Sequence, residues 1–152
     1  MLGRKTFTAD ELTHNRSAID AQLAAHRTLT ATLAGGPPEA KAALEAFDAA
    51  FFTTMVLALD RPFVHRLRVS TGKDGNALNE VELIVDSLLN NDGVLRGNNV
   101  IWYVPEDAVV KLKVGDRIQL TADEFERLAT AYFAELEARF VQPLPEPGTS
   151  RG

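Results

Sequence analysis

Apolar residues first recur at helical spacing after Thr8, where Leu12, Ile19, His26 and Leu33 stand seven apart with Leu23, Ala25 and Leu29 beside them. A seam this narrow suits packing along another helix. It predicts a first helix from Thr8 to about Ala34, ended by Gly35-Gly36-Pro37-Pro38. The start signal Phe7-Thr8-Ala9-Asp10-Glu11-Leu12 returns as Leu120-Thr121-Ala122-Asp123-Glu124-Phe125. In both, the Thr hydroxyl can accept from the third helical amide while the Glu reaches back to the cap amide, an arrangement worth roughly 1 kcal/mol. The first helix would be about 38 Å long at 1.5 Å per residue. That is long for this chain, and part of it is expected to lie on a second subunit.

A second helix follows the proline pair, which suits a first turn. Leu44, Phe47, Phe51, Met55 and Leu59 form one stripe, and Phe52, Val56 and Ala58 fill other faces. A helix apolar nearly all round is a buried one, so this element is expected at the centre of the fold. Pro62 either kinks it or opens a new helix capped by Asp60. Thr71-Gly72-Lys73-Asp74-Gly75-Asn76 reads as a turn, and a further helix is expected from about Asn76 to Asn90, with Leu78, Val81, Val85, Leu88 and Leu89 inward.

The period then changes. Val100 to Val104 is β-branched and aromatic, and Val110, Leu112, Ile118 and Leu120 alternate with Lys111, Lys113, Arg117 and Gln119. Alternation of this kind predicts a half-buried hairpin with a loop over Val114-Gly115-Asp116. The competing reading makes Pro105 to Leu112 a short helix. The last helix runs from Thr121 to about Val141, with Phe125, Leu128, Tyr132, Leu136 and Phe140 on one face. The fold class is therefore mainly α: a four- to five-helix bundle with a small β-hairpin before the C-terminal helix. Residues 1–141 form one domain and 142–152 a Pro-rich disordered tail.

Composition narrows the chemistry. With 152 residues and 45% hydrophobic content the chain can bury a core. It has no cysteine, which removes thiol catalysis, disulfides and Cys-ligated metals. A net charge of −5 weighs against a nucleic-acid partner. The opening residues lack the apolar run of a secretory signal, and Ala49–Leu59 falls short of a bilayer span. A cytoplasmic protein with no membrane partner is expected. His14, His26 and His65 show no metal-binding spacing, so no metal and no cofactor is expected. His26, alone on an apolar seam, reads as a hydrogen-bonded core residue.

One segment concentrates charge. Arg61, His65 and Arg68 are spaced to share a helix face if Pro62 leaves the turn intact, and Lys73 follows in the loop. Asn79, Glu82 and Asp86 share a face of the next helix, with Glu80 beside them. Charges here must face water, pair, or meet a ligand. Three readings compete: a solvated hairpin laced with ion pairs, an interface with matched charges, or an anion pocket. In the last, Arg61, His65, Arg68 and Lys73 would bind a phosphate or carboxylate, and the candidates for acid–base work are His65, Glu80 and Glu82.

The stretches TGKDGNALNEVELIVDSLLNNDGVLRGNNVIWYVP and KLKVGDRIQLTADEFERLATAYFAELEARF resemble those of a group of small uncharacterised bacterial proteins. The resemblance covers about Phe51 to Val141 and implies no activity, cofactor or catalytic residue. The expectation is then a non-enzymatic cytoplasmic interaction or scaffolding protein that forms a homodimer. The alternative is a small-molecule binder or enzyme acting on an anionic ligand through the Arg61–Asp86 cluster.

Overall fold

The structure is a computed structural model and describes residues 3–142. Its helices are α1 (Ala9–Leu33), α2 (Pro38–Asp60), α3 (Arg68–Thr71), α4 (Ala77–Asn90) and α5 (Ala122–Phe140), with 3-10 turns at Arg61–Phe63 and Pro105–Asp107. Both capping boxes form. Thr8 Oγ1 accepts from the Glu11 amide at 3.1 Å, and the Thr8 amide donates to Glu11 at 2.7 Å. Thr121 and Glu124 repeat the exchange at 3.1 Å each way. Pro37 precedes α2 in extended conformation, and Asn76 caps α4 by accepting from the Leu78 and Asn79 amides.

α5 is the central element, packed on α1, α2 and α4. Its buried face carries Phe125, Leu128, Tyr132, Phe133, Leu136 and Phe140, and α4 contributes Leu78, Val81, Leu83 and Ile84. Aromatic edges knit this core, with Phe63 at 6.1 Å from Phe133 and Phe7 at 5.1 Å from Phe63. The expectation that α2 is the buried rod holds only for its second half. Phe52, Met55, Val56 and Leu59 are buried, but no residue from Ala24 to Phe51 is. The reason is length. α5 begins at the level of Thr53, whose hydroxyl accepts the Leu120 amide, and of Arg27, which pairs with Glu126 at 3.0 Å. Beyond that level the Gln119–Ala122 segment flanks α2 at Glu45, Asp48 and Ala49, and the outer face of the α1–α2 pair is left open. The segment Pro38–Phe63 is long and apolar enough to cross a membrane, with mean hydropathy 1.6 over 18 residues, of which 22% are buried. The sequence expectation, made on Ala49–Leu59 alone, understated that length.

The predicted β-hairpin does not form, and among the described residues there is no strand, only two isolated bridges. Its ladder groups are taken by other partners. Glu80 accepts from the Val109 and Val110 amides at 2.8 and 2.9 Å, and the Tyr103 hydroxyl donates to the Leu112 carbonyl. Lys111 adopts a left-handed φ of 62°, which ends extended pairing. Residues 113–116 close a turn in which the Lys113 amide donates to Asp116, and this turn pairs with Gly93–Leu95 instead: Leu95 donates to Asp116 at 2.9 Å and Ile118 to Gly93 at 2.8 Å. The competing short helix over 105–112 is reduced to its first turn, Pro105–Asp107. In Val100–Val104 the alternation survives without a sheet: Ile101 is buried while Val100, Trp102 and Val104 face outward. The expected tail lies outside the described residues from position 143 onward.

Candidate functional site

The charge cluster after Pro62 is dispersed by its backbone. Pro62 sits in a 3-10 turn, residues 64–65 turn again, Leu67 is extended, and α3 is a single turn closed by Gly72 at φ 77°. Arg61, His65 and Arg68 therefore do not share a helix face. Arg61, His65 and Lys73 are exposed. The backbone carbonyls of His65 and Lys73 are engaged, accepting the Arg4 amide at 2.7 Å and the Trp102 amide at 2.8 Å. Arg68 is half-buried and occupied: it grips both oxygens of Glu82, with Asn79 Oδ1 at 2.7 Å and the Gly72 carbonyl at 3.1 Å. Arg68, Glu82 and Asn79 thus converge, whereas Glu80 points to the 109–110 backbone and Asp86 pairs with Arg96 at 3.3 Å. The open grooves on the surface of the described residues are lined by other side chains. Among the described residues, no group of three or more His, Asp or Glu side chains is placed to hold a metal ion.

The residue that does enter the core is Arg66. Its guanidinium donates to Asp60 at 2.7 Å, to Tyr132 at 2.8 Å and to the Phe63 carbonyl at 3.0 Å, and Tyr132 donates to Asp60 at 3.2 Å. The two charged side chains retain 5% and 7% of their exposure, so this is a buried, satisfied ion pair that ties the end of α2 to α5. Burial opposes the charge on Arg66, but Tyr132 and Asp60 together raise its affinity for the proton; burial pushes the Tyr132 hydroxyl well above its ordinary value. Sequence reasoning singled out the neighbours Arg61, His65 and Arg68 and passed over Arg66. The available signal was Tyr132, a hydroxyl on an otherwise apolar buried face that needs a partner. Glu80 is the second buried acid. Burial raises its pKa, and its two backbone donors offset part of that effect.

The least expected surface is the outer face of the α1–α2 hairpin. On α2, Phe47, Phe51, Thr54 and Ala58 fall at i, i+4, i+7 and i+11, one stripe of the helix. Phe47, Thr54 and Ala58 are exposed, Phe47 at 47%, and Phe51 is half-buried against it in a stacked pair 5.1 Å apart. The charges of α2 lie elsewhere. Asp48 binds His26 of α1 at 2.7 Å, and Glu45 lines a groove toward Gln119–Ala122. The charges of α1 point to α5: Arg16 lies over the Phe133 ring at 5.1 Å, Asp20 lines a separate groove against Glu126, Ala129 and Phe133, and Arg27 pairs with Glu126. What α1 leaves beside the stripe is Ala18, Gln22, Ala25 and Leu29. A groove of about 250 Å³ lies between the helices, walled by Ala18, Gln22, Met55 and Ala58. Between Ala43 and Ala58 the result is a two-helix face without a charged side chain, ended one turn beyond Ala58 by the exposed Arg61.

His26 behaves as its position on the seam suggested, hydrogen-bonded to Asp48 and set edge-on to Phe52 at 4.7 Å. No family model, no curated protein and no solved structure matches the chain, in keeping with a resemblance that carries no activity.

Proposed function

We propose that this is a non-enzymatic cytoplasmic interaction or scaffolding protein that works as a homodimer through its α1–α2 hairpin. The observation that carries the reading is the mismatch between composition and burial in α2. A stretch with mean hydropathy 1.6 has only 22% of its residues buried within one chain. Apolar surface costs about 25 cal/mol per Å² when left in water, and large exposed apolar faces mark association sites. The arm between Ala24 and Phe51, touched by α5 and the segment before it only around Arg27 and around Glu45, Asp48 and Ala49, gains its missing cover from a second chain. The engaged state of Arg68 and Glu82, each satisfied by the other, supports the ion-paired reading of the charge cluster over the anion pocket.

Sedimentation equilibrium tests the proposal. The expected result is a mass near twice the 16.6 kDa of one chain at micromolar concentration. A single species of monomer mass at high micromolar concentration contradicts it.

A further inference from the structure

The α2 stripe carries more than apolarity: it has a direction. Along the chain it reads large, large, small, small as Phe47, Phe51, Thr54 and Ala58. Its centre lies between Phe51 and Thr54. If a second copy of α2 runs antiparallel across it about that centre, Phe47 meets Ala58 and Phe51 meets Thr54, each twice by symmetry. A parallel copy in register would set Phe47 on Phe47 and leave Ala58 facing Ala58, a clash at one end and a void at the other. Cores and interfaces pack by placing large residues against small ones, and a two-fold pairing must be complementary to itself.

From this, and resting on the homodimer reading above, we infer that two chains associate with their α2 helices antiparallel, Phe47 of each seated in the α1–α2 groove of the other. The groove has the required position, since Ala58 and Met55 form its α2 wall and Ala18 and Gln22 its α1 wall. Its volume of about 250 Å³ admits an aromatic side chain. Ala43, Ala46 and Ala50, all exposed, flank the stripe and allow the helices to approach closely.

Two further observations select a second copy as the occupant. From Ala43 to Ala58 the face has no charged side chain, with the exposed Arg61 at its rim, so its own duplicate meets it without burying an unpaired charge. The size also fits. From Ala43 to Ala58 the helix rises about 24 Å, and two helices abreast are about 20 Å wide, so each copy offers about 500 Å². Two copies together reach about 1,000 Å², the level from which specific interfaces begin. The product is a four-helix bundle in which each chain supplies α1 and α2.

A size exchange tests the register. Phe47→Ala and Ala58→Phe are made singly and together, and the dimer dissociation constant is measured by sedimentation with circular dichroism as the check on folding. Both sites are exposed in one chain, so the fold is retained. Each single variant weakens the dimer at least tenfold, the first by emptying the groove and the second by overfilling it. The double variant returns to within about threefold of the parent, because large again meets small. A parent dimer that is indifferent to the single changes, or that the double change fails to restore, overturns the antiparallel register while leaving self-association standing. A parent that is monomeric at high micromolar concentration overturns self-association itself, and flotation of that monomer with lipid vesicles would assign the face to a bilayer.

Discussion

Removing the guanidinium of Arg66 would strand the Asp60 carboxylate and the Tyr132 hydroxyl in a site that keeps only 5–7% of its exposure. Breaking a buried pair from one side costs about 3–5 kcal/mol, since the remaining charge has neither water nor partner. Arg66→Met is therefore expected to lower unfolding free energy by that amount in urea titrations. A loss under 1 kcal/mol would mean that water reaches Asp60. Glu80 gives a prediction with pH. Burial raises its pKa above the ordinary 4.5, so the folded state holds the proton more readily than the unfolded chain. The stabilisation linked to that proton is fully present below pH 4.5 and is lost as pH rises through the raised folded value. The stability margin of the parent over Glu80→Gln should narrow as pH rises above 4.5, read from urea midpoints. A margin that widens over this range would contradict the assignment. Glu11 runs the other way, its pKa lowered to about 2 by the hydrogen bond from Arg4 and the Thr8 amide, so its contribution is lost only in acid. It stays small because the pair is exposed.

Elements whose cause is local were legible in the letters. Both capping boxes and the proline start of α2 depend on residues within four positions of one another, and each forms where expected; α4 also begins where expected, with Asn76 as its cap. The 109–120 region was not legible, because its partners are distant in sequence. The alternation of Val110, Leu112, Ile118 and Leu120 is real, and Ile118 and Leu120 are buried, but the backbone beside it is held by Glu80 and by Gly93–Leu95 rather than by its own return strand. Lys111 discriminates the two folds. In the left-handed conformation at φ 62° a β-branched side chain is strained, so Lys111→Val should cost about 1–2 kcal/mol. In a hairpin strand the same change would be neutral or stabilising. Thermal melts of Lys111→Val decide this, and an unchanged or raised melting temperature would favour the strand.

At the scale of the whole molecule, the two halves of the chain differ in how completely they are covered. The α4–α5 half encloses its aromatic core, whereas the α1–α2 hairpin outruns α5 and ends as an arm with no buried residue between Ala24 and Phe51. The sequence announced an apolar α2 and invited the conclusion that it sits at the centre. Apolarity says that something covers a surface without saying what does, and that distinction needs the length of the neighbouring helix, which no residue of α2 encodes. The expected common face of Arg61, His65 and Arg68 is absent for a related reason: the i, i+4, i+7 spacing has meaning only on a continuous helix, and here a 3-10 turn, a turn at 64–65 and an extended Leu67 separate the three.

The most direct measurement is amide hydrogen exchange read by mass spectrometry at low and high protein concentration. Association protects what it covers in proportion to occupancy. Peptides spanning Ala43 to Ala58 should exchange more slowly as concentration rises, while peptides from α5 remain unchanged. Equal exchange of the 43–58 region at both concentrations would contradict a dimer built on this face.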